Sequence, residues 1–198
     1  MKRLKIASLM LGVGVVALAT TTAAVSALTA STTISSTISS VISVSSNGTV
    51  NANVTPSGSG AQTIASDTVT VSTNDSSGYT LQLGETGASS AMTSGGNSIA
   101  ASSGTQTTPV VMAVNTWGYR VDGVGGFGAG PTSAQSNGTI SGSIKFAAVP
   151  ASGSPNTILT TSGTATNSTT TVWYGIAANT SQPSGTYTNS VTYTATAN

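Results

Sequence analysis

The clearest alternation of apolar and polar positions lies near the carboxyl end. Tyr187, Val191, Tyr193 and Ala195 fall on one side of an extended chain, and Thr186, Thr188, Ser190, Thr192 and Thr194 on the other. A period of two marks a strand with one buried face. Thr68-Val-Thr-Val71 alternates in the same way, and Tyr79, Leu81 and Leu83 share one side of the next run. Asn74-Asp-Ser-Ser-Gly78 between them is a cluster of turn residues, which predicts a hairpin. Short strands are predicted at 109–114, leading into Trp117-Gly-Tyr119, and at 143–146 and 157–159. Thr171-Val-Trp-Tyr-Gly-Ile176 is apolar on both faces, as in a central strand, which places Trp173 in the core.

A different pattern occupies 34–44. Ile34, Ile38, Ile42 and Val44 lie on one edge with Ser36 and Ser40, while the other edge is Ser, Thr and Val41, with no charge and no Pro. Read as a strand, this segment belongs to the domain's own sheet or inserts into a groove of a neighbouring subunit. Both readings stay open.

Val, Ile and Thr dominate the chain, and these side chains pack well on a pleated surface but lose rotamer freedom in a helix. The expectation is an all-β fold, an antiparallel β-sandwich of Ig-like or pilin-like type. Its organisation is a signal peptide at 1–27, a Ser/Thr/Ile-rich strand or extension at 28–46, and one domain at 47–198. The first segment rests on the basic Met1-Lys-Arg-Leu-Lys5, an apolar run at 6–19 too short for a membrane span, and Val25-Ser26-Ala27 before the cut. The product is expected to be secreted or held at the cell surface, meeting a membrane only during export.

Charge narrows function more than any motif. Charged residues are 5% of the chain, against roughly 25% in an ordinary soluble protein. Beyond residue 27 they are Asp67, Asp75, Glu85, Arg120, Asp122 and Lys145, and the net charge falls from +1 to −2 when Lys2, Arg3 and Lys5 leave. Two isolated basic residues make no phosphate-binding patch, which excludes nucleic acid. There is no His and no Cys, so the usual nucleophiles, bases and metal ligands are missing. No enzyme activity, cofactor or metal is expected, and no loop spacing around Asn74 and Asp75 supports calcium. Trypsin has only Arg120 and Lys145 to cut beyond residue 27.

The candidate partner sites are therefore apolar. Ile34, Ile38, Ile42 and Val44 form a candidate assembly strand for self-association or for other surface proteins. Trp117, Tyr119 and Phe127, beside the loop Gly123-Val-Gly-Gly-Phe-Gly-Ala-Gly130, form a candidate face for a glycan. That loop lacks the setting of a phosphate cradle and is expected to be flexible.

Thr70-Val-Ser-Thr-Asn-Asp-Ser-Ser-Gly-Tyr-Thr-Leu81, Trp117-Gly-Tyr119 and Pro183-Ser-Gly-Thr-Tyr-Thr-Asn-Ser-Val-Thr-Tyr193 together resemble bacterial surface β-sandwich proteins. The nearest types are spore coat protein U-type fimbrial subunits and WxL-type cell-wall-associated proteins. The resemblance covers about residues 62–198 and implies an exported, non-catalytic, surface-associated β-sandwich. A structural or adhesive protein, fimbria-like in its assembly, is the first functional expectation, and a monomeric carbohydrate-binding module is the second.

Overall fold

The computed structural model describes residues 27–198. The expected signal peptide therefore lies outside the described residues apart from Ala27. The described residues contain strands and no helix: β1 (Ile42–Ser45), β2 (Ala61–Thr73), β3 (Tyr79–Glu85), β4 (Met92–Ser94), β5 (Asn97–Ala101), β6 (Val110–Val111), β7 (Thr116–Arg120), β8 (Gln135–Gly138), β9 (Lys145–Phe146), β10 (Asn156–Thr160), β11 (Ala165–Ala178) and β12 (Val191–Ala197). The all-β class expected from composition is observed.

The large sheet runs β1-β2-β11-β7-β5-β4, with β8 added to β2, and a second sheet runs β10-β3-β12. A third, of β6 and β9, has two strands. The backbone of the fold is the pair β2 and β11, antiparallel from Ala61↔Ala178 to Thr73↔Ala165. On β2, Val69 and Val71 turn inward and are buried, while Thr68, Thr70 and Ser72 turn outward. On β3, Tyr79, Leu81 and Leu83 are all fully buried. These rows join Val172 and Tyr174 of β11 in one hydrophobic cluster, so the two sheets share a core. Each such side chain withdrawn from water contributes about 1.5–3 kcal/mol.

Three expectations need correction. The turn at 74–78 does not close a hairpin, because β2 pairs with β11 and β3 with β10 and β12. Two strands that each carry a full apolar row bury more by facing each other across a core than by lying side by side. Gly78, at φ +90°, redirects the chain, and a Cβ there would strike the Thr161 backbone. Pairing is also not wholly antiparallel, since β5 runs parallel to β7 at Ala100↔Thr116 and Ala101↔Trp117. The third concerns 34–44, where only β1 is a strand. β1 is the edge of the chain's own sheet, with Ile42 opposite Thr73, as the first of the two readings has it, and what is corrected is the strand's start, at Ile42 and not at Ile34.

The segment at 171–176 is central, as its two apolar faces predict, with β2 on one side and β7 on the other. Its second face is covered at one end by Phe146, which is fully buried. The cross-strand pair Gly118↔Gly175 makes this possible. A Cβ on Gly175 would come within 2.7 Å of the Phe146 ring, and one on Gly118 would collide with the Ala147 carbonyl. Trp173 differs from expectation. It alternates away from Val172 and Tyr174, and is half-buried on the outer side.

Candidate functional site: a cleft, an extension and uncharged edges

The second sheet covers only part of the inner face of the large sheet. Beside it lies a cleft of about 770 Å³ whose apolar lining comes from Met92 of β4, Ile99 of β5, Trp117 of β7 and Ile176 of β11. The chain after β1 and the loop before β12 line it too, through Asn51, Asn53, Gln182 and Asn189 among others. The volume lies in the range of ligand pockets, while the lining is mixed, with about as much polar as apolar surface.

The buried chemistry of the domain lies next to this cleft. Asp67 is 4% exposed and its Oδ1 accepts the Asn47 N–H at 2.9 Å. The Tyr174 and Tyr193 hydroxyls are 2.7 Å apart. Burial raises both phenol pKa values well above the usual range, so neither ionises under ordinary conditions. Glu85 continues the inward row Tyr79, Leu81, Leu83 and is 2% exposed, yet neither carboxyl oxygen has a hydrogen-bond partner. Burial pushes its pKa up to about 7, against a smaller opposing pull from the Asn189 amide. That amide donates instead to the Ser89 and Ala91 carbonyls. A carboxyl in such surroundings is a cost to stability rather than a general base placed against a nucleophile.

The three aromatic residues singled out from the sequence are core residues. Trp117, Tyr119 and Phe127 are all buried, Trp117 at the wall of the cleft, so the three form no exposed aromatic face. Trp117 stacks on Tyr174 at 6.5 Å and donates its indole N–H to the Ser90 carbonyl at 2.8 Å. Tyr119 meets Phe127 edge to face at 5.4 Å. Its hydroxyl donates to Gln106 and accepts from Asn156, and burial raises its pKa to about 12 against that Asn156 contact.

The loop 123–130, expected to be flexible, is held by Arg120. The guanidinium is buried and donates to the carbonyls of Phe127, Gly128 and Ala129, and to Asp122 Oδ1 at 2.6 Å. Asp122 also accepts from the Thr132 backbone and hydroxyl. Burial alone would raise its pKa, but Thr132 and then Arg120 outweigh it and leave the carboxyl below its ordinary range. Composition suggested flexibility, and the signal that pointed the other way was the lone Arg two residues before an Asp.

The candidate assembly residues are not gathered into one strand. Ile34 is 93% exposed and Ile38 84%, Val44 is exposed, and Ile42 is half-buried against the core. Just before β1 the chain is fastened to the turn after β2. Asn74 donates to the Ser39 carbonyl and its Oδ1 accepts the Val41 N–H, while Asp75 accepts from Ser40. Asp75 has its pKa lowered, first by the Ser77 backbone N–H and then by Ser40. Asn74 and Asp75 thus spend their side chains on the backbone and on Ser40. Among the described residues no group of three or more His, Cys, Asp and Glu could hold a metal, and no helix is long and apolar enough to cross a membrane.

The strands that end the two larger sheets are β1, β4, β10 and β12, of which β4 is already bridged on its outer side by Thr93↔Thr188. Their sequences, ISVS, MTS, NTILT and VTYTATA, hold no charged residue and no Pro. Natural sheets usually block their edges with such residues. The chain matches no family model, no curated protein and no solved structure.

Proposed function

We propose that this protein is an exported, non-catalytic surface subunit built on a β-sandwich, and that it associates through its sheet edges. The uncharged edges carry this reading. An open edge offers unpaired N–H and C=O groups to any extended chain, and this protein carries one in the charge-free, Ile-bearing segment ahead of β1. Residues 34–41 of one copy add to an edge or enter the cleft of another, supplying Ile34 and Ile38 as Ile42 is supplied at home. Scarcity of charge, the absence of His and Cys, and the trypsin-poor sequence all suit a structural part exposed outside a cell. This is also the class implied by the resemblance to coat-protein-U-type and WxL-type proteins.

The test compares residues 28–198 with 42–198 by light scattering. The shorter version begins at β1 and so keeps the whole large sheet. Oligomers of the longer chain and folded monomers of the shorter support the reading. Monomers of both at high concentration would remove it.

A further inference from the structure

The outer side of the large sheet, away from the second sheet, carries a terrace of hydroxyl groups on β1, β2 and β11. Register sets them in rows across the strands: Ser45, Thr70 and Thr169 in one, Thr68 and Thr171 in the next, Ser66 and Trp173 in the third. Rows lie about 7 Å apart along the strands, and the strands about 4.8 Å from one another. These side chains are exposed or half-exposed, in phase opposite to the buried Val69, Val71 and Val172. The third row ends at Arg120. Its guanidinium is buried and engaged with Asp122 and the loop carbonyls, so the terrace holds no free charge.

Several hydroxyls elsewhere in the molecule fasten the backbone. Thr63 donates to Asn53, Thr73 to Val41, Ser102 to Phe146 and Thr116 to Ala113. On the terrace only Ser72 is engaged in this way, with Asn167. The hydroxyls of Ser66, Thr68, Thr70, Thr169 and Thr171 make no hydrogen bond among the described residues. The two indoles show the same contrast. Trp117 is buried with its N–H satisfied, whereas Trp173 is half-buried, packed in part against the core cluster, and its N–H has no protein acceptor among the described residues.

We infer that this terrace binds a neutral polysaccharide, with the Trp173 ring as the platform for a pyranose face and the hydroxyl rows as its hydrogen-bonding field. Hydroxyls both donate and accept, which suits a ligand whose own groups are hydroxyls. An anionic polymer would find no countercharge here. A protein or a second copy would strip water from every hydroxyl with a single aromatic to compensate. The outer face of the second sheet supplies an internal control. It carries exposed Thr192, Thr194 and Thr196 on β12, opposite Gly84, Gln82 and Thr80 of β3, with no aromatic among them.

The experiment is retention of the purified protein on insoluble cellulose, chitin and cross-linked starch, for the parent and for Trp173→Ala, Thr171→Lys and Thr194→Lys. The proposal expects salt-insensitive retention on at least one of the three. Trp173→Ala and Thr171→Lys should each weaken it at least tenfold, and Thr194→Lys should leave it unchanged. Thr171 is exposed, so its Lys variant keeps the test valid if the Trp173 variant fails to fold. No retention on any of the three, or equal loss on Thr194→Lys, overturns the proposal. So does Thr171→Lys that alters mass in solution but not retention, which would make the terrace a contact between copies. The proposal does not depend on edge association, and either can fail alone.

Discussion

Two segments of this chain look equally loose on paper, the Ser-rich stretch before β1 and the Gly-rich loop after β7, and they end in opposite states. The loop has more glycine and fewer β-branched residues, yet it closes on itself, with the Gly123 N–H donating to the Gly128 carbonyl and the Arg120 guanidinium filling its interior. The stretch before β1 has Ile at every fourth position, yet Ile34 and Ile38 stay almost fully exposed. Apolar content alone did not order a segment. A buried cation with several fixed acceptors did, because unmet donors would cost far more than the entropy of the loop.

The largest effect should come from removing that cation. Arg120→Ala leaves Asp122 without its ion-pair partner and the Phe127 and Ala129 carbonyls without a donor, and should cost on the order of 3–5 kcal/mol in chemical denaturation. Arg120→Lys should recover little, because an ammonium lacks the planar fork that reaches the separate acceptors. Either variant should expose 123–130 to elastase, which leaves this loop intact in the parent. A variant of near-parental stability would show that packing of Phe127 against Tyr119, and not the guanidinium, holds the loop. Acid should act in the same direction. The folded-state pKa of Asp122 is lowered, so its contribution is present above about pH 4, the ordinary value for an Asp, and is lost as pH falls through the lower folded value.

Glu85 tests the opposite case, a buried charge-bearing group to which the fold gives no partner. Its folded pKa is raised from 4.5 to about 7. Between those values the folded state binds more protons than the unfolded state, so stability should fall as pH rises through that window and level off above it. The drop should be on the order of 1–3 kcal/mol. Glu85→Gln should flatten it and leave the variant more stable than the parent at pH 8. A parent whose stability is constant from pH 4.5 to 7.5 would mean that water reaches the carboxylate.

Much of this fold was legible in the sequence, and the failures share a cause. The alternation of Val69 and Val71, of Tyr79, Leu81 and Leu83, and the doubly apolar run around Val172 reported strands and their buried faces correctly, because period and burial are local properties. Whether β2 and β3 were partners or opposed layers was not local, since it depended on β11, about 100 residues away, competing for the β2 edge. Trp173 and Trp117 were mis-sorted for the same reason. Both sit in strands, and only the register with Tyr119, Gly118 and the crossing chain at Phe146 decides which face is covered. The Arg120 anchor left only the faint trace of an isolated Arg near an Asp in a chain almost without charge.

Asn74 is the smaller counterpart of Arg120 on the other side of the comparison. Its side chain joins the Ser39 carbonyl and the Val41 N–H to the turn after β2. Both partners lie in the exposed segment before β1, so Asn74→Ala should cost only about 0.5 kcal/mol. It should also move the first elastase cut site closer to β1, read by mass spectrometry of the fragments.

Deleting 28–41 should have the smallest effect on stability and the largest on assembly, and that separation is what makes the comparison sharp. The deleted residues contribute no strand, and Ile34, Ile38 and Val41 are each more than half exposed. What is lost is the fastening of Ser39, Ser40 and Val41 to the turn, while the β1 register from Ile42 to Ser45 survives. The midpoint of denaturation should therefore shift by less than about 0.5 kcal/mol in equivalent stability, as for a surface change. Elastase should remove the same segment from the intact protein and then stop, giving a trimmed core that behaves like the deletion variant. Trypsin should do less. Arg120 is buried, which leaves Lys145 as the exposed site beyond residue 27, and its backbone is paired with Val111 in β9. A deletion that unfolded the domain would place 28–41 inside the fold's cooperative unit, and the exposed segment could no longer be treated as an arm free to serve another copy.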